Sequence, residues 1–419
     1  MELKTICDLI DKHQDELYQM LSSLVKINSE NDGTNGNEEE CARYVHKLCQ
    51  EAGFESDLYS PMSLEGFSNH PDYMPGKHLE NRYNVTATWK GEQDENEVML
   101  MAHTDTVVFG DLANWKRHPL SGDIENGCIY GRGATDDKYG IAVSIFLMKL
   151  LKDAGFVPKK NLLFSAYVDE ELGGSHGAMA AVMKYPTKRI VNIDGGCEML
   201  VPSATGGGVV IYRFHTKDTV DSAEPTAQGF PIVLEEMQKF RNARYNELQN
   251  NPYYADTFVP GTSLRYNEIR AGNNDMDKDV GELKFTFYTD KTKEEIYKEF
   301  HELEQSIAQR LEPLGLVGDG FIPDSRFFHY GVCPPERENI KLMVDAAKEA
   351  VDMEMQVCAG ALSDMSVLLK YGSIDTFTIG ASRMFHEEGG AHQPNEFIEC
   401  EKLLELTKSI GAYILKVLG

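Results

Sequence analysis

The stretch "MLMAHTDTV" at residues 99–107 runs an apolar segment straight into a histidine and an aspartate two positions apart. Alone, His103 and Asp105 are no more than polar residues at the start of a loop. The texture of the preceding run recurs, however, in "NVTATW" (84–89), "VMLMA" (98–102), "NLLFSAYV" (161–168) and "RIVNI" (189–193). Their β-branched and large aliphatic residues, bounded by turn formers, indicate strands buried on both faces. Between the second and third lies "DDKYGIAVSIFLMKLLKDAG" (136–155), an apolar-periodic helix closed by Gly155. Strands alternating with helices predict an α/β fold: a mostly parallel sheet with helices on both faces.

After "ATGGG" (204–208) the pattern changes. Strand-like "VVIYRF" leads into the helical "GFPIVLEEMQKFRNARYNEL", then an irregular segment to about residue 277, strand-like "GELKFTFYT" and helical "KEEIYKEFHELEQSIAQRL". From about residue 319 the first texture returns with "ENIKLMVDAAKEAV" and "DTFTIG". The expected division is a catalytic domain in two parts, 1–206 and 319–419, interrupted by a smaller α+β lid at 207–318. A chain of 419 residues is long enough for two cores.

The formal charge of −26 repels phosphate backbones and argues against nucleic-acid binding. The opening "MELKTICDLIDKHQDELYQML" has Ile6, Leu9, Ile10, Leu17, Leu21 and Leu24 at helical spacing, an amphipathic first helix rather than a secretory leader. No long apolar run suggests a membrane span. The eight cysteines are scattered without a Cys-x-x-Cys pair, which favours core thiols in a reducing cytoplasm.

Chemistry enters with the residues directly after each buried run: His103 and Asp105 after the second, Asp169, Glu170 and Glu171 after the third, Asp194 after the fourth. Carboxyl ends of parallel strands share one edge of an open α/β sheet, where ligands bind, so these residues converge although they are distant in sequence. Asp136 and Asp137 precede the helix and suit either N-capping or the same crevice. His386 and His392 come after "DTFTIG", in "HEEGGAHQPNEFIE". Oxygen and imidazole donors without thiolate suit Zn²⁺, Mn²⁺ or Co²⁺, and several carboxylates can neutralise two such ions. Two ions sharing a water make it hydroxide-like near neutral pH, which points to a hydrolase. His103 and Asp105 face one side of an extended chain, so Asp105 can orient the imidazole, whereas Glu170 and Glu171 face opposite ways, one toward metal and one toward the water. The latter would be a general base.

With "MAHTDTV", "GDLANWKRHPLSGDIENGCIYGRGATDDKYG", "VDEELGG", "NIDGG" and "GAHQPNE" assembled, the chain resembles the aminoacylase and carboxypeptidase G family of dinuclear zinc hydrolases, which includes acetylornithine deacetylase, succinyl-diaminopimelate desuccinylase and cytosolic dipeptidases. The resemblance implies two divalent ions per chain, zinc first, with Asp136 as the bridging carboxylate, Glu171 and His392 on one ion and His103 and Asp194 on the other. It makes Glu170 the base and Asp105 the residue steadying His103, and implies a cis peptide between Asp136 and Asp137. The substrate implied is a dipeptide, a short peptide or an N-acyl amino acid. Aspartate at 194 tilts toward peptidases, whereas "HPDYMPGKHLENRYNV" looks more like the deacylases. A non-catalytic metal-binding scaffold of the same fold is the rival, and a homodimer through the lid is an expected assembly. One departure stands out. Members carry a lid histidine near "DSAEPTAQGF", where this chain has Asp221, leaving His215 in "YRFHTKD" as the alternative oxyanion partner. The strand "KFTFYTD" also lacks the arginine that members often use to hold a substrate carboxylate.

Overall fold

The computed structural model describes residues 1–259, 261–272 and 278–419. Chain contacts divide it into two units. The first is Met1–Pro202 with Val332–Cys358 and Val367–Gly419; the second is Ser203–Gly331 with Ala359–Ser366.

The first unit is built on an eight-stranded sheet in the order Gln356–Val357, Met199–Val201, Thr376–Ile379, Arg189–Ile193, Gln93–His103, Lys160–Tyr167, Asn84–Trp89, Glu55–Tyr59. The four central strands, from Thr376–Ile379 to Lys160–Tyr167, run parallel, and antiparallel partners flank them. Val98, Met99, Leu100, Met101 and Ala102 are all fully buried, which requires cover on both faces of the sheet. Helix Lys138–Asp153 supplies part of that cover and ends in a left-handed Gly155 (φ 80°), with Phe156 N–H donating to the Leu151 carbonyl and Gly155 N–H to that of Lys152. This is the glycine-closed end that the sequence predicts. The expected single first helix is instead two, Leu3–Lys12 and Gln14–Val25, with a turn at His13 (φ −108°, ψ 15°). Each half keeps its apolar stripe, Ile6 and Ile10 in one and Leu17, Leu21 and Leu24 in the other, inward.

The second unit is a four-stranded antiparallel sheet in the order Leu264–Ala271, Val280–Thr289, Gly206–Thr216, Leu316–Pro323. Helices Glu224–Gln249 and Lys293–Leu311 pack on it. Its core is aromatic: Phe300 stacks on Phe321 at 4.4 Å between ring centroids and lies 5.5 Å from Phe287. Two readings change here. Residues 319–331 belong to this unit, because Leu316–Pro323 pairs with the strand opening at Gly206. Part of the segment expected to be irregular is the edge strand Leu264–Ala271, while Pro260 and residues 273–277 lie outside the described residues. Both strands are sheet edges with mostly half-exposed or exposed residues, so neither carries the apolar run by which the others are recognised. None of the cysteines is paired in a disulfide. Among the described residues no helix is long and apolar enough to cross a membrane.

The join between helix Lys138–Asp153 and the sheet is tight at Gly140. A Cβ there would stand 2.7 Å from the Ile193 carbonyl oxygen and 2.8 Å from Ala102 Cβ. In an exposed helix Gly→Ala is favourable by about 1 kcal/mol. Here we expect the opposite sign, Gly140→Ala costing about 1–3 kcal/mol by overpacking, read as a lower urea midpoint at unchanged slope.

Candidate metal centre

The parallel strands deliver their carboxyl ends to one edge. His103 is the last residue of Gln93–His103 and pairs in register with Tyr167, so Asp169 to Glu171 emerge beside it; Asp194 directly follows Arg189–Ile193 on its other flank. The His103 ring is fully buried, with Nε2 3.0 Å from Asp136 Oδ1. The second Asp136 oxygen, Oδ2, lies 3.3 Å from His392 Nε2, and that nitrogen lies 2.6 Å from Glu171 Oε2. Asp136 therefore turns one carboxylate oxygen toward each histidine. On the other side, ligand atoms of His103, Asp137 and Asp194 lie within 4.8 Å of one another, as do those of His103, Asp136 and Glu171. The Asp136–Asp137 peptide is cis. Asp137 makes no capping bond to its helix; its Oδ2 accepts from the His103 backbone N–H at 3.1 Å, so the capping reading is replaced by a link to the strand end.

Charge makes the donor set fit divalent ions. Burial disfavours a charged His103, but Asp136, with Glu170 and Asp194 behind it, outweighs this and raises its pKa well above the ordinary value. Burial likewise opposes charge on His392, yet Asp136 and Glu171 lift it to about 10. Asp136 is buried but held far below the usual carboxylate range by the two imidazoles. Glu171 and Asp137 are pushed upward, by burial first and then by Asp136 and Asp194 respectively. Asp137 Oδ1 is buried without a hydrogen-bond partner. Crowded acids that draw protons onto neighbouring histidines form a site whose charge divalent cations would balance, and the donors are oxygen and imidazole nitrogen throughout.

Asp105 does more than the sequence suggests. The acceptor beside His103 Nδ1 is the Asp105 backbone carbonyl, at 2.9 Å, while the nearer carboxylate oxygen is 3.7 Å away. That carboxylate accepts instead from the backbone N–H of Glu170 (3.2 Å), the backbone N–H of Glu171 (3.1 Å) and Asn31 Nδ2 (2.8 Å), tying the two glutamates to the His103 loop.

Behind this clamp lies a buried set of which sequence reasoning singled out Asp169 alone. Asp169, in a left-handed conformation (φ 65°), meets Lys77 Nζ at 3.1 Å, Arg82 at 3.2 Å and His176 Nδ1 at 2.6 Å. His176 also accepts from Met74 N–H through Nε2, and Arg82 pairs with Glu38. At the far loop, Glu396 accepts from the backbone of Gly133 and Thr135 and pairs with Arg132, which donates to the His392 carbonyl. The Tyr139 hydroxyl joins Ser382 to the Gly195 and Ala381 backbones. Apart from His176, seven residues from Asp169, these partners lie dozens to hundreds of residues from what they hold, so no spacing rule marks them. Lys77 and Arg82 stand in the polar stretch "GKHLENRYN", where nothing local sets them apart from surface charges.

His215 and Asp221 belong to the second unit. His215 lies on the half-exposed side of Gly206–Thr216 with Nδ1 2.9 Å from Asp319, and Asp221 pairs with Lys278 at 2.7 Å. His386 is exposed, and His118 accepts from Leu120 N–H in its own loop.

The fold is shared with solved peptidases. The chain resembles the dipeptidase Dug1p of Saccharomyces cerevisiae with a TM-score of 0.74 at 14% identity, covering 99% of this chain and 98% of that one. It resembles a tripeptidase of Staphylococcus aureus with a TM-score of 0.69 at 16% identity, covering 96% and 98%. By sequence it is 31% identical over 171 residues to an uncharacterised metallohydrolase of Methanocaldococcus jannaschii, spanning 41% of this chain and 39% of that protein. A succinyl-diaminopimelate desuccinylase of Wigglesworthia glossinidia brevipalpis is 29% identical over 175 residues, 41% of this chain and 43% of its own length. These aligned stretches thus span about two-fifths of the curated relatives. Residues 99–416, which run from the strand before His103 past His392, match the profile of Peptidase family M20/M25/M40, and the chain belongs to that family of metallohydrolases.

Proposed function

We propose that the protein hydrolyses amide bonds with two bound divalent ions, zinc first and Mn²⁺ or Co²⁺ as chemical equivalents, and that its substrates are dipeptides or short peptides. The observation that carries this reading is Asp136, whose two oxygens face two different histidines. In the proposed assignment Asp136 is shared, Glu171 and His392 complete one ion, and His103 and Asp194 the other. Bound ions of this kind polarise a scissile carbonyl and acidify a water for attack near neutral pH. The chain's own work is positioning and proton transfer. Asp105 holds the backbone of Glu170 and Glu171 at adjacent amides, and its carbonyl receives His103 Nδ1–H, leaving Nε2 to face Asp136. Glu170, not assigned to either ion, takes up a proton on its carboxylate and returns it to the leaving nitrogen. Peptidases among the structural neighbours support the peptide reading; the desuccinylase among the sequence relatives supports N-acyl amino acids as the second substrate class.

Elemental analysis of metal-saturated protein should give about two ions per chain, and Asp136→Ala should lose both, whereas a single ion that survives this change contradicts a shared ligand. Glu170→Gln should keep its metal but lose about 10²–10⁴-fold in turnover of a dipeptide panel. A metal-replete parent protein with no turnover would favour the scaffold reading. Metal uptake near neutral pH should release protons, because His103 and His392 hold theirs well above the ordinary imidazole range. Apparent affinity should then rise with pH by roughly 10-fold per unit for each proton displaced. Titration calorimetry in buffers of different ionisation enthalpy measures both.

A further inference from the structure

Exposed apolar residues adjoin the candidate ligands, one by ring contact and two along the chain. Phe385 is 56% exposed, yet its ring stands edge-on to His392 at 4.9 Å between centroids. Leu172 is 41% exposed and follows Glu171 directly. Val108 is 49% exposed and follows Val107, whose backbone N–H donates to Glu171 Oε1 at 3.1 Å. Scattered apolar residues on a surface mean little, but Phe385 touches a candidate ligand and the other two directly follow Glu171 or the residue whose backbone bonds it.

The charges around them are already committed. Lys77 is bonded to Asp169 and the Leu172 carbonyl, Arg82 to Glu38 and Asp169, and Arg132 to Glu396 and the His392 carbonyl. Lys138 donates to the Ile27 carbonyl, and Arg383 is held by Glu399 and the Glu388 carbonyl. An acidic side chain arriving here would face Glu170 and a chain of net charge −26, while an aliphatic or aromatic one would cover open apolar surface.

We infer that Phe385, Leu172 and Val108 form the specificity rim of the site, and that the substrate carries an uncharged, apolar side chain beside the scissile amide. This rests on the metal reading above and narrows it to one substrate class. The test is calorimetric titration of leucine hydroxamate and aspartate hydroxamate into zinc-loaded protein, with zinc content and sedimentation measured on the same samples. Leucine hydroxamate should bind at least about 10-fold more tightly, the scale expected for covering one aliphatic side chain. Phe385→Ser and Leu172→Ser should each erase most of that preference while leaving aspartate hydroxamate and zinc content unchanged. Equal binding of the two ligands by zinc-replete protein, or variants that bind like the parent, overturns the rim and leaves the metal reading standing. Protein that takes up no zinc overturns both. A variant that changes the sedimenting mass instead of the preference makes Phe385 a contact with a second copy and overturns the rim.

Discussion

Carboxylates repel one another more strongly in a protein interior than in water, and this structure gathers Asp136, Asp137, Glu171 and Asp194 around one buried histidine. That arrangement is stable only with compensating positive charge, here imidazoles whose pKa values are pulled upward by the acids beside them. The crowding decides the chemistry. Acids meant for solubility stand apart on the surface; acids forced together at strand ends, with sulfur absent, are a site for hard or borderline divalent cations.

Holding such a cluster requires a frame stiffer than the repulsion. The parallel strands bring His103, the Asp169–Glu171 loop and Asp194 to the same edge, but strands alone leave the loops loose. Two further layers fix them. Asp105 grips the backbone amides of Glu170 and Glu171, so the loop is set by its main chain. Outside it, Asp169 gathers Lys77, Arg82 and His176, and Glu396 with Arg132 does the same for the Asp136 and His392 loops. Buried ion pairs of this kind add little net stability, since desolvation offsets most of their attraction. Their service is geometric: removing one partner would strand a buried charge, so the loops have few alternatives.

The second unit obeys other rules. Its sheet is covered on one side by two helices over an aromatic core, and its other side presents ion pairs such as Arg213 with Glu282 and His215 with Asp319. His215 alternates to that polar side because its strand neighbours Phe214 and Thr216 point inward. The strand period therefore determines which of its residues could meet a ligand.

Most of the sheet and most of the candidate ligands were legible in the sequence, because both are written locally. Buried strands are continuous apolar runs, and a parallel sheet fixes where their last residues go, so His103, Glu171 and Asp194 could be assembled from three short segments. Asp136 and His392 needed the motif resemblance as well, since neither ends a strand. What the sequence left open depends on contacts between distant segments. Edge strands such as Leu264–Ala271 and Leu316–Pro323 have exposed or half-exposed residues on most positions and no run to reveal them. The division of labour within Asp105, carbonyl to His103 and carboxylate to the glutamate amides, rests on 2.9 Å against 3.7 Å at His103 Nδ1. The Asp169 set exists only where the chain brings Lys77, Arg82 and His176 together around one carboxylate. Local periodicity determined the sheet and where its strand ends converge; only the tertiary structure decided what steadies the donors there, because those contacts join segments far apart in the chain.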